Sequence, residues 1–115
     1  MLHGLSTRQR ARVTAARENP LLWNLMWPLA GVPDGSFYFD NQPNVLDQFL
    51  VNKHMATQSS QLKADPTSVQ ILKLDGTVGG GAYKKPIPFG GMGKPVNQDG
   101  FSDHFPITMT VAEID

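Results

Sequence analysis

The sequence predicts an α+β fold, a predominantly antiparallel sheet with one or two short helices on one face. Three observations lead there. Apolar, β-prone runs recur at 37–39, 45–51, 69–74 and 107–114, none longer than eight residues. Helical spacing is confined to the first third of the chain and one short polar stretch. Eleven glycines and nine prolines in 115 residues cut the chain into short elements joined by turns. The length sets an upper bound of one domain, expected to span 1–115.

The elements follow in order. Leu5 to Asn19 reads as a helix that Ser6 or Thr7 caps and Pro20 ends. Arg8, Arg10, Arg12 and Arg17 make it the basic part of the chain, as a solvated face or a set of phosphate contacts. In Leu21 to Leu29, Leu22, Leu25, Met26 and Leu29 recur at helical spacing, and Trp23 and Trp27 are four apart. A short helix packed in the core is expected there, with Pro28 limiting its length. A loop, Gly31 to Gly35, precedes the strand Phe37-Tyr38-Phe39. Asp40, Asn41, Gln42 and Pro43 signal a turn, and Val45 to Val51 reads as the returning strand of a hairpin. Asn52 to Lys63 is polar with room for a short helix, and Val69 to Leu74 is a third strand. Asp75 to Gly100 is a long surface loop. Ile107, Met109 and Val111 alternate with Thr108, Thr110 and Ala112 up to Ile114, which argues a half-buried final strand.

Composition excludes several functions. There is no cysteine, so disulfides, thiolate catalysis and cysteine metal sites are out. That fits a cytoplasmic protein. Ten acidic and ten basic residues balance, which removes long-range steering toward nucleic acid or membrane without excluding a local basic groove. No apolar run approaches the roughly 20 residues that span a bilayer, and Met1 to Arg10 carries no secretory hydrophobic region.

The chemistry-bearing string is Ser102-Asp103-His104-Phe105-Pro106-Ile107, which ends the long loop and opens the last strand. An acid and an imidazole at a strand end are held rigidly yet remain open to solvent. Asp47 lies within an otherwise apolar run, where an unpaired carboxylate is costly, and His104 is its natural partner. A carboxylate touching imidazole favours the imidazolium and fixes the ring, giving a donor for a phosphate oxygen whose charge is growing. The plainer alternatives are a turn with a surface histidine at 103–104, and an edge-strand charge at Asp47 that discourages aggregation.

Ser102-Asp103-His104-Phe105-Pro106-Ile107 resembles the terminal Ser-Asp-His-x-Pro-[Val/Ile] signature of the endonuclease/exonuclease/phosphatase superfamily. Asn44-Val45-Leu46-Asp47-Gln48-Phe49-Leu50-Val51 is similar to the preceding strand of that family, with its Leu-Asp-x-[Ile/Phe]-Leu pattern. Ser36-Phe37-Tyr38-Phe39, before it, and Leu22-Trp23-Asn24-Leu25-Met26-Trp27 also fit. The resemblance implies the C-terminal part of a four-layer α/β sandwich and water attack on a phosphoester assisted by Mg²⁺. It implies that His104 stabilises the phosphate in the transition state, that Asp47 orients His104, and that Asp103 helps place the water or a second metal.

The family's metal-binding glutamate, its accompanying asparagine and its Gly-Asp-x-Asn motif have no counterpart here. Glu18 and Glu113 are the only glutamates, and neither has the right context. The expectation is therefore a partial domain: a truncated gene, an internal start or one piece of a split protein, with little activity alone. The alternative is a non-catalytic interaction module that self-associates or pairs with a separate N-terminal piece; a third reading is a nucleic-acid binder using the first-segment arginines. The substrate stays open among DNA, RNA, inositol phosphates and lipid phosphoesters. Gly90-Gly91-Met92-Gly93-Lys94 lacks the first glycine and the Ser/Thr of a phosphate loop and reads as loop. His3 and His54 lack metal-ligand spacing and read as surface residues, as do Lys84, Lys85 and Lys94, though loops of this kind border the family's substrate groove.

Overall fold

A computed structural model of the chain describes residues 2–17, 21–57, 61–81, 84–91 and 93–113, with side-chain surroundings from residue 4 onward. The expectations placed on Glu18, Pro20, Met92, Ile114 and the His3 side chain lie outside these. The fold is α+β, with short helices and small antiparallel ladders. By contacts the chain forms two compact units: Met1–Gly31, Gln48–Gln70 and Thr108–Asp115 make one, Val32–Asp47 and Ile71–Ile107 the other.

The first unit opens with helix α1 (Leu2–Ala15), which starts earlier than its sequence suggests and leaves Ser6 and Thr7 inside the helix. Strand β1 (Trp23–Asn24) pairs antiparallel with β4 (Leu50–Val51), Trp23 opposite Val51. The expected helix over 21–29 is thus replaced by a short strand followed by a 3-10 turn at Trp27–Leu29, with Pro28 in its first turn. The reason is local: the Asn24 side-chain oxygen takes the Met26 N–H at 2.9 Å, and the Leu25 N–H goes to the Phe49 carbonyl at 2.9 Å. Both donors are thereby lost to a helix ladder. Trp23 and Leu25 are buried, whereas Leu22 faces outward.

Helix α2 (Lys53–Ala56) falls within the polar stretch expected to hold one, and Asn52 caps it by accepting the Met55 N–H at 3.1 Å. Strand β5 (Leu62–Ala64) pairs antiparallel with β8 (Val111–Glu113). Val13, Trp23, Leu25, Val51, Ala56 and Ala64 form the core, with Phe49, Met55, Val69 and Met109 packed against it. Arg10 is structural: its Nε donates to the Ala56 carbonyl at 2.8 Å, and its guanidinium lies 4.8 Å from the Trp23 ring centroid.

The second unit is built on a hairpin of β2 (Phe37–Phe39) and β3 (Gln42–Asn44). Its two-residue turn has Asp40 and Asn41 at φ +49° and +61°, both left-handed, as a type I′ turn requires. The hairpin therefore closes tighter than expected, and the returning strand is Gln42–Asn44 rather than 45–51. Pro43 is accommodated because its strand, β3, is laddered on one side only, to β2, among the described residues. Gly35 is needed at the hairpin base: a Cβ there would lie 2.5 Å from the Asn44 backbone nitrogen.

Strands β6 (Gln70–Ile71) and β7 (Ile107–Thr108) form a further two-stranded ladder. The expected strand over 107–114 is split into β7 and β8, and the break at Met109–Thr110 leaves Val111 exposed. The described residues between 75 and 100 form the expected long loop, pinned by isolated bridges Val78 to Pro86, Gly91 to Lys94 and Pro88 to Phe101.

Candidate functional site

His104 and Asp47, 57 residues apart in sequence, meet in the second unit: Nδ1 of the ring lies 2.7 Å from Asp47 Oδ2. Three features hold them. His104 bridges Phe37 in antiparallel fashion, and the Phe105 N–H donates to the Ser36 carbonyl at 2.7 Å, so the Ser-Asp-His string is stitched to the start of β2. The Phe37 ring lies against the imidazole with centroids 4.8 Å apart. Phe105, next in sequence, is fully buried with Tyr38 edge-on to it, which anchors the segment.

Asp47 lies not within a strand but in the irregular stretch after β3. Ser36 fixes it. This serine is wholly buried, and its Oγ accepts the Asp47 N–H at 3.3 Å. Partial burial pushes the Asp47 carboxyl up, but hydrogen bonds from Ser36 and His104, together with the nearby ring charge, carry it below its ordinary value of 3.8. Asp47 is then ionised at neutral pH and only accepts, so the proton in the 2.7 Å contact sits on Nδ1. That leaves Nε2 as the ring nitrogen able to meet a ligand.

Asp103 stands beside it, with Oδ1 4.0 Å from Nε2 and its side chain mostly exposed. Ser102 Oγ accepts the His104 N–H at 3.0 Å, closing a turn that sets the ring's direction. All three residues singled out by sequence are therefore neighbours. Ser36 is the residue that sequence reading missed; a small polar residue directly before the aromatic run was the only signal for it.

Two open cavities flank the Ser102–His104 segment. One, of about 390 Å³, is lined by Ser102 and His104 together with Leu74, Asp75, Thr77, Phe101 and Pro106. The other, of about 380 Å³, is lined by Asp103 with Tyr38, Phe39, Lys85 and Lys94 among others. Lys85 donates to the Asn41 side-chain oxygen at 2.8 Å. In the first unit, Arg8, Arg12 and Trp27 line a third cavity of about 400 Å³. His54 is exposed on α2.

Among the described residues no three His, Cys, Asp or Glu side chains gather closely enough to hold a metal ion. Asp103 offers one carboxylate, and Asp47 is occupied by His104 and Ser36. These residues do not by themselves fit a Mg²⁺ centre.

The α+β chain thus holds a histidine oriented by a carboxylate through one ring nitrogen, with Asp103 4.0 Å from the other. The chain belongs to the Endonuclease/Exonuclease/phosphatase family, whose sequence profile matches residues 5–113. The match includes both the Asp47 and the Ser102–Ile107 strings and places the protein among nuclease- and phosphatase-like proteins. No curated protein and no solved structure matches it. No described helix is long and apolar enough to cross a membrane.

Proposed function

We propose that the chain carries the histidine end of a phosphoester hydrolase site. The observation that supports this best is the 2.7 Å contact between Asp47 and His104 within a chain of this family. His104 Nε2 meets a non-bridging phosphate oxygen and, when protonated, neutralises the charge that grows there during attack. Asp47 is a positioning residue: it holds the ring in one tautomer and strengthens it as a donor. Asp103, at the open side of the ring, helps place the attacking water. Proteins of this family generally depend on a metal, and magnesium is the metal proposed here. Its glutamate and asparagine ligands have no counterpart in this sequence, so the isolated chain is expected to bind phosphoesters without turning them over.

Calorimetric titration with bis(p-nitrophenyl) phosphate, alongside a turnover assay in Mg²⁺, tests both parts. Saturable binding that His104→Ala abolishes, with turnover at the buffer rate, is the expected result. Absence of binding overturns the site. Turnover above buffer that His104→Ala removes overturns the claim that the chain lacks what the metal needs.

A second reading, association, is favoured by one observation. In the first unit Leu21, Leu22, Leu50, Leu62 and Val111 are all exposed, several of them beside or within two-stranded ladders. A second copy or a separate N-terminal piece would cover them. Sedimentation at increasing concentration tests this: a monomer throughout, with no hydrophobic-dye binding, removes it.

A further inference from the structure

In the first unit one face of helix α1 borders the open cavity of about 400 Å³, a volume suited to a small molecule. Leu5, Arg8, Gln9 and Arg12 line it from the helix, and Trp27 lines it from the 3-10 turn. Residues three and four apart on a helix share a face, with Cβ atoms roughly 5–6 Å apart, so the Arg8 and Arg12 side chains leave α1 side by side. Arg10 lies off this face and is held by the Ala56 carbonyl and the Trp23 ring.

The free polar groups of these side chains are all donors. Gln9 Oε1 is the one side-chain acceptor among them, and it is occupied: it accepts the Asn24 N–H at 2.8 Å and the Trp27 Nε1–H at 2.9 Å. Those two bonds fix the carboxamide, and its Nε2 makes no hydrogen bond among the described residues. Arg8 Nε donates to the Gly4 carbonyl at 3.4 Å, which leaves its two Nη groups. No described carboxylate pairs with Arg8 or Arg12, and α1 itself contains no acid. The rest of the wall is apolar, made by Leu5 and the half-buried Trp27 ring.

Two uncompensated guanidinium groups repel a cation and gain little from a neutral molecule. Covering Trp27 and Leu5 takes an apolar body as well as an anionic head. The head group follows from where the donors stand. Arg8, Gln9 and Arg12 all project from the interior of one helix, where backbone N–H groups are committed to the helix ladder. A phosphate cradle draws on free backbone N–H groups, which that stretch of α1 does not offer. Donors on one side satisfy the two oxygens of a planar carboxylate, whereas a tetrahedral head keeps an oxygen turned to the apolar wall. We propose that this cavity is a binding site for a small aromatic carboxylate, its head held by Arg8 and Arg12 with Gln9 Nε2 beside them, and its ring against Trp27.

The test is titration of the full chain with benzoate at low salt, followed by calorimetry and by tryptophan fluorescence. Trp23 and Trp27 are the two tryptophans of the chain, and Trp23 is buried in the core. Benzoate is expected to bind saturably and to change the emission, and Trp27→Phe, which keeps Trp23, should abolish that change. Arg8→Gln and Arg12→Gln should each weaken binding about ten-fold, the effect of one lost charge-assisted hydrogen bond. Arg12→Lys keeps the charge without the planar fork and should stay weakened. Gln9→Glu keeps an oxygen for Asn24 and Trp27, replaces the free donor by a negative charge and should abolish binding. His104→Ala should bind benzoate as the parent does. Arg8 and Arg12 are exposed, and unchanged urea midpoints confirm that their variants fold.

Benzyl alcohol and acetate carry the ring or the charge alone, and each should bind about ten-fold more weakly than benzoate. Equal binding of either overturns the proposal, leaving an apolar pocket or a charged surface only. Phenyl phosphate puts the same ring on a tetrahedral head. A Trp27 response to it at lower concentration than to benzoate assigns the cavity to a phosphoryl group and overturns the carboxylate. Displacement of benzoate by an equal concentration of a short single-stranded oligonucleotide assigns the arginines to nucleic acid and overturns it too. So does the absence of a saturable benzoate response, or a response that survives Gln9→Glu or is lost in His104→Ala.

Discussion

Replacing Asp47 by asparagine keeps its size and removes the charge that His104 meets at 2.7 Å. A hydrogen bond involving an ionised partner contributes about 1.5–3 kcal/mol and a neutral one about 0.5–1.5 kcal/mol. Both side chains are about one-third exposed (35% for His104, 34% for Asp47), so solvent screening places the pair at the low end of that range. The difference attributable to charge is then about 1 kcal/mol. Asp47→Asn, His104→Gln and the double variant form a cycle, read by urea unfolding at pH 6 with m held common. The expected coupling energy is about 1 kcal/mol. Its pH dependence has a defined sign. Asp47 titrates below its ordinary 3.8 in the folded chain, so its stabilisation is present above that value and is lost as pH falls through the lower folded one. The coupling should therefore persist from pH 6 down to about pH 4 and vanish in more acid solution. A coupling below about 0.3 kcal/mol at pH 6, within the additivity expected of independent sites, refutes the claim that the carboxylate holds the ring.

Other perturbations should behave as follows. Ser36→Ala strips a buried hydroxyl from the Asp47 N–H and should cost about 1–2 kcal/mol in urea unfolding, while raising the pH at which Asp47 titrates by NMR; an unchanged midpoint contradicts its role. Gly35→Ala puts a methyl 2.5 Å from the Asn44 nitrogen and should destabilise by about 1–3 kcal/mol, read as a lower melting temperature. Asn41→Gly should be neutral or stabilising, because Asn41 sits at φ +61°, whereas Asn41→Val should cost more than 1 kcal/mol, roughly the left-handed penalty for a branched residue. Phe105→Ala, in the fully buried anchor of the Ser-Asp-His string, should cost about 3–5 kcal/mol and broaden the His104 ring signal.

The site was more legible in sequence than the fold. Asp47 stands out because a lone acid interrupts Val45-Leu46 and Phe49-Leu50-Val51, and His104 because it adjoins an acid ahead of an apolar strand. The structure joins them through a route that periodicity cannot show. The 45–51 run has strand composition, yet Leu46 and Leu50 are more than half exposed and only Leu50–Val51 pairs, with Trp23–Asn24 from the far end of the chain. That pairing is tertiary, and it also overrides the helical spacing of Leu22, Leu25, Met26 and Leu29. The hairpin was foreseen, but its register was set by left-handed Asp40 and Asn41, which shortened the turn to two residues and moved the returning strand to Gln42. Ser36 was invisible for a related reason: its importance comes from being fully buried between Asn44 and Asp47, a property of the folded backbone.

The most direct measurement is the NMR spectrum of the His104 ring nitrogens during titration with phenyl phosphate, in the parent chain and in Asp47→Ala. The account predicts a protonated Nδ1 in the parent before ligand is added, a saturable shift centred on Nε2 as ligand binds, and loss of both in the variant. A proton resting on Nε2 in the free chain, or a shift of equal size once Asp47 is gone, contradicts it.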